Sequence, residues 1–127
     1  MQREVPIKIF LADDSALIRV RVAAMLACPP VAIVGQAATA SDAVEGILAS
    51  KPDVVVMDVQ LEQGSGLDVM RLVREIAPDV AFIVFSSHSE PEYRKRYLGA
   101  GARVFLDKST EFDQLAGAIR DAAPALH

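Results

Sequence analysis

At 127 residues with a formal net charge of −4, the chain suits one domain and carries no basic excess for non-specific binding to a phosphate backbone. Its 52% hydrophobic and 24% charged residues, free of low-complexity runs, exclude disorder and supply a core burying roughly two-thirds of the unfolded chain's surface. No apolar run approaches the roughly 18 residues of a membrane span, and the N-terminal MQREVPIKIF lacks the layout of a cleaved signal peptide, so a cytoplasmic protein without membrane insertion is expected.

Short apolar runs alternate with stretches of helical spacing, the pattern of a parallel sheet wrapped by helices. Strands are expected at 7–12 (IKIFLA), 31–35, 54–58 (VVVMD), 80–86 and 102–106, each rich in β-branched or aromatic residues. Between the first two, Ile18, Val22, Met25 and Leu26 fall on one helical stripe with Arg19 and Arg21 off it, and the helix should stop before Pro29-Pro30. The lone Cys28 that follows has no partner for a disulfide or a thiolate metal site and reads as structural. The second helix should be capped by Ser41, turn Val44, Ile47 and Leu48 inward, and end ahead of Pro52. The third follows Gly66 with Leu67, Met70, Val73 and Ile76 inward and ends before Pro78. The fourth begins at Glu90-Pro91 and ends at Gly99 or Gly101. The fifth starts after Ser109-Thr110, with Phe112, Leu115 and Ile119 inward. Five β-α units predict an α/β class, doubly wound parallel sheet.

Ligands in such sheets bind at the carboxyl ends of the strands. There the first strand delivers Asp13-Asp14, the third Asp58, the fourth Ser86-Ser87 and the fifth Asp107-Lys108. Each alone has an ordinary explanation: capping for the acidic pair and the serines, a turn for Asp58, solvation for the lysine. Their coincidence at one edge points further. Three clustered carboxylates repel one another unless a hard divalent cation sits between them, and Mg2+, with Mn2+ as a substitute, suits oxygen ligands. Histidine ligands for zinc are missing, since His88 and His127 are the only two. Acid-bound magnesium with a lysine and a hydroxyl is the equipment of phosphoryl transfer, and Asp58, on a central strand before a flexible Gly-Ser-Gly segment, is the best nucleophile.

FLADDS, VVVMDVQLEQGSG, VFSS and GARVFLDKS, in this order at successive strand ends, resemble the receiver domain of bacterial two-component response regulators over nearly the whole chain. The resemblance implies a (βα)5 flavodoxin-like sheet of strand order 2-1-3-4-5 and a single-domain, chemotaxis-type receiver spanning 1–127. Asp14 would ligate Mg2+ directly and Asp13 largely through water, with Asp58 and the Gln60 carbonyl completing the set. Asp58 would accept a phosphoryl group from a sensor histidine kinase or histidine phosphotransfer protein, and Lys108 would pair with the phosphoryl oxygens. Ser86 would swing onto the phosphoryl group, and Phe105 would turn inward into the space it vacates. Gln60 and His88 would flank the phosphoryl group and tune its lifetime. The chain ends soon after Pro124, so the output is expected to be protein binding rather than direct DNA binding or enzymatic turnover. The family's usual surface is the fourth helix, fifth strand and fifth helix, and here it carries Tyr93, Arg94, Lys95, Arg96 and Tyr97 beside Phe105.

Two positions depart from the family: Glu62 and Ser109 stand where proline is common. Competing readings are a receiver-shaped scaffold that is never phosphorylated, a magnesium-dependent aspartyl-phosphate phosphatase, and a flavin protein of the same fold. The phosphatase would need an acid where Gln60 stands, and the flavin protein a hydroxyl- and glycine-rich loop where Asp13-Asp14 stand.

Overall fold

The apolar runs form strands β1 (Ile7–Ala12), β2 (Val31–Ala37), β3 (Val54–Met57), β4 (Ala81–Ser86) and β5 (Val104–Asp107). They pair in parallel in the order β2-β1-β3-β4-β5, as expected. Between and after them run α1 (Ala16–Met25), α2 (Ala40–Ser50), α3 (Gly66–Ile76), α4 (Pro91–Gly99) and α5 (Leu115–Ala122). This computed structural model describes residues 6–26 and 31–124, so Cys28, the Pro29-Pro30 stop and His127 lie outside the described residues.

Alternation along the strands builds two cores. Ile9, Leu11, Val54, Val56, Ile83, Phe85 and Leu106 meet Val22 of α1 and Leu115 and Ile119 of α5. Phe10, Val55, Met57, Phe82, Val84 and Phe105 meet Ile47, Met70, Val73 and Tyr97 of α2, α3 and α4. The central strands are therefore covered on both faces, which explains their unbroken apolar sequence. Each fully buried Val, Leu, Ile or Phe contributes about 1.5–3 kcal/mol of transfer free energy.

Several local expectations are corrected. Thr39, not Ser41, caps α2, its hydroxyl accepting the Asp42 N–H at 3.0 Å. Ile76 does not face inward: it closes the last turn of α3 and is 60% exposed. Phe112 belongs to a short 3-10 turn, Phe112–Gln114, because hydrogen bonds in the preceding Asp107–Glu111 turn delay the α-helix until Leu115. β3 ends at Met57, one residue before Asp58, while β5 begins two residues later than expected and extends through Asp107.

Candidate functional site

Asp13 and Asp14 follow β1, Asp58 follows β3, Ser86 closes β4 and Lys108 follows β5. All lie at the carboxyl edge of the sheet, where the order reverses between β1 and β3.

Asp58 is held from both sides. Its N–H donates to the Ala12 carbonyl at 2.9 Å, tying it to the strand that delivers the acidic pair. A Cβ on Gly66 would lie 2.3 Å from the Asp58 carbonyl oxygen, so only glycine lets α3 start this close to the acid. The segment expected to be flexible is instead a small antiparallel hairpin, Gln60–Leu61 against Gly64–Ser65, with Gln63 and Gly64 at positive φ. The Ser65 hydroxyl then caps α3 by accepting the Asp68 N–H. The Tyr97 hydroxyl fastens the same loop to α4, accepting the Leu67 N–H at 3.0 Å and donating to the Val59 carbonyl at 3.3 Å.

The charges meet at Lys108. Its ammonium stands 2.6 Å from Asp13 Oδ2 and 2.8 Å from Asp58 Oδ2. Burial raises the pKa of Asp13, opposed by Lys108 and the Ser15 N–H. Burial also works against the Lys108 ammonium, but its hydrogen bonds to Asp13 and Asp58 outweigh that, and its pKa rises. Ser109, where proline is common, thus does not keep the Lys108 ammonium away from Asp58. Asp13, Asp14 and Asp58 each offer an oxygen within 4.8 Å of the others, a donor set that fits a hard divalent cation. Asp14 is exposed, whereas Asp13 is 5% and Asp58 7% exposed, so an ion there would be reached from the Asp14 side.

Ser86 is fully buried and its hydroxyl accepts the His88 N–H at 3.1 Å. Gln60 and His88 do meet, Oε1 to Nε2 at 3.1 Å, and line the cleft with Asp14, Asp58 and Lys108. Sequence reasoning missed Arg21, which also lines this cleft, and Arg19, whose guanidinium donates to the Asp13 carbonyl at 2.6 Å. Their place off the apolar stripe of the first helix was the available signal.

The expected docking surface is partly corrected. Tyr97 and Phe105 are 2% and 3% exposed and meet edge to face with centroids 6.1 Å apart, so neither is presented to a partner. Phe105 lies inside the core here, with the Arg94 guanidinium 5.2 Å over its ring. Arg94 is turned back onto the protein by three hydrogen bonds. Tyr93, Lys95 and Arg96 remain exposed.

No helix among the described residues is long and apolar enough to cross a membrane. Residues 9–120 match the model of the response regulator receiver domain. The chain is 31% identical over 116 residues to the DNA-binding transcriptional activator DevR/DosR of Mycobacterium tuberculosis, covering 91% of this chain and 54% of that protein. It is 35% identical over 117 residues to the transcriptional regulatory protein PdtaR of the same species, covering 91% and 56%. The chain therefore spans little more than half the length of these relatives. The response regulator domain of Thermotoga maritima CheB superposes with a TM-score of 0.84 at 30% identity, covering 92% of this chain and 96% of that one. With its family pattern matched along 9–120 and its acids and lysine gathered at one sheet edge, this chain belongs to the response regulator receiver domains of bacterial two-component systems.

Proposed function

We propose that the Asp58 carboxylate accepts a phosphoryl group and that this modification switches a protein-binding surface. The observation that carries the reading is the Lys108 ammonium, seated between Asp13 and Asp58 at 2.6 and 2.8 Å. A lysine so placed supplies a fixed positive charge where phosphoryl oxygens would arrive, and phosphoryl transfer depends mainly on such positioning. Asp13, Asp14 and Asp58, with the Gln60 carbonyl, would hold Mg2+, or Mn2+ in its place. Bound there, the ion would neutralise charge on the transferring group.

The donor is a sensor histidine kinase or a histidine phosphotransfer protein. An Asp58 oxygen bonds to phosphorus as the N–P bond of the donor phosphohistidine breaks, and the imidazole leaves with that electron pair. Lys108 turns from the bare carboxylate to the phosphoryl oxygens. The Ser86 hydroxyl swings away from the His88 N–H to donate to a phosphoryl oxygen, and loss of the His88 bond loosens the loop leading into α4. Phe105, already buried, accommodates the change with Tyr97 rather than by an inward turn. Gln60 and His88, joined across the cleft, govern water access and hence phosphoryl lifetime. The surface that responds is the exposed part of α4, Tyr93, Lys95 and Arg96, offered to a downstream protein in the cytoplasm. In this reading 1–127 acts as a single receiver unit, a signalling switch whose only chemistry is gaining and losing its own phosphoryl group.

The test is intact mass after incubation with Mg2+ and acetyl phosphate. Gain of one phosphoryl group, absent in Asp58→Asn and without Mg2+, is the expected result. No gain from a folded chain with several donors would replace the reading with a scaffold that works unmodified.

A further inference from the structure

The Lys108 ammonium reaches Asp58 from a turn in which Ser109 does not fix φ as a proline ring would. Side chains supply the restraint. The Asp107 carbonyl accepts the Glu111 N–H at 2.9 Å, and the Asp107 N–H donates back to Glu111 Oε1 at 2.9 Å, closing the turn around Lys108. Inside it, Asp107 Oδ1 accepts the Ser109 N–H at 2.8 Å, the Ser109 hydroxyl at 2.7 Å and the Thr110 N–H at 3.1 Å. These bonds hold the Asp107 carboxyl well below the usual carboxylate range, led by the Ser89 hydroxyl on Oδ2.

Arg94 joins this turn to two other segments. Its Nη2 donates to Glu111 Oε1 at 3.0 Å, its Nη1 to the Phe105 carbonyl at 2.9 Å, and its Nε to the Ser89 carbonyl at 3.1 Å. The loop that begins at Ser86, the strand that carries Phe105 and the turn that carries Lys108 thus share one guanidinium. A surface ion pair alone contributes little. This one has two backbone acceptors and a carboxylate that also accepts the Asp107 N–H, and only the planar fork of arginine matches three acceptors at once.

From this geometry, and resting on the Asp58 acceptor reading, we infer that Arg94 is a positioning residue: with Glu111 it fixes the Lys108 turn and thereby sets the rate at which Asp58 is phosphorylated. It touches neither the donor nor Asp58 and acts through the placement of Lys108.

The test uses the whole chain with Mg2+ and acetyl phosphate, recording the maximal phosphorylation rate, the half-saturating donor concentration and the thermal midpoint for Arg94→Ala, Arg94→Lys, Glu111→Ala and the double Arg94→Ala/Glu111→Ala. Arg71→Ala, an exposed basic residue on α3, is the control. The maximal rate should fall roughly tenfold in each single alanine variant, in line with the loss of an outer-shell partner, with the half-saturating concentration unchanged. Arg94→Lys should not restore it, and the double variant should be no slower than either single one. Should Arg94→Ala fail to fold, Glu111→Ala decides alone. Folded variants that match the unaltered chain in rate, or recovery by lysine, overturn the inference while leaving the acceptor reading intact. Absence of phosphorylation in the unaltered chain overturns both.

Discussion

Lys108 is the residue on which the site's charge balance turns. Two nearly buried carboxylates face its ammonium, and removing it leaves Asp13 and Asp58 to repel each other in a poorly solvated place. Lys108→Met should cost about 3 kcal/mol in metal-free buffer, read from urea denaturation, because breaking a buried pair strands its partners. The pH dependence has a definite sign. The folded pKa of Lys108 lies above its ordinary value, so its stabilisation is complete below about pH 10.4 and is lost as pH rises through the folded value. The gap between the unaltered chain and Lys108→Met should therefore stay constant from neutral pH to about pH 10 and narrow only above it. A gap that already narrows between neutral pH and about pH 10 would mean that the ammonium is not what the two acids depend on. The aspartates and this lysine were legible in the sequence because each sits at a strand end, where the apolar run stops and polarity begins. Arg94 was not: a run of basic residues on a helix reads as solvated, and only the approach of Phe105 and Glu111 in three dimensions turns one of them inward.

At the scale of elements, periodicity located all five strands and all five helices, but not every boundary. The sequence TASDA offers two hydroxyls two residues apart, and composition cannot choose between them. Extended backbone at Thr39 and the bridge it makes with Glu62 place its hydroxyl on the Asp42 N–H. Thr39→Ala should lower stability by about 1 kcal/mol, the usual cost of losing an N-cap, whereas Ser41→Ala should stay within about 0.5 kcal/mol. Chemical denaturation of the pair checks this, and a larger loss at Ser41 would return the cap to the expected residue. Ile76 shows the reverse error. Its spacing from Val73 fits the apolar stripe, yet α3 is on its last turn there and has run past the core. The hairpin after Asp58 was hidden for another reason: two glycines and a serine suggest looseness, while their order comes from contacts with Asp58 and with the Ala40 side chain, whose Cβ lies 2.5 Å from where a Gly64 Cβ would sit.

Over the whole molecule, the two cores make the sheet a rigid platform and leave chemistry to its carboxyl edge. Three strands contribute an acid or a cation there, so no single segment could perform the reaction alone. The proposed target of this edge is one atom group, the Asp58 carboxylate. An acyl phosphate, unlike a free carboxylate, is reduced by borohydride to an alcohol, which converts a phosphorylated aspartate to homoserine. Peptide mapping after phosphorylation with Mg2+ and acetyl phosphate, followed by borohydride, should find homoserine at position 58 and unaltered aspartate at 13 and 14. Homoserine at 13 or 14, or at none of the three in a chain whose mass shows the added phosphoryl group, would contradict the account.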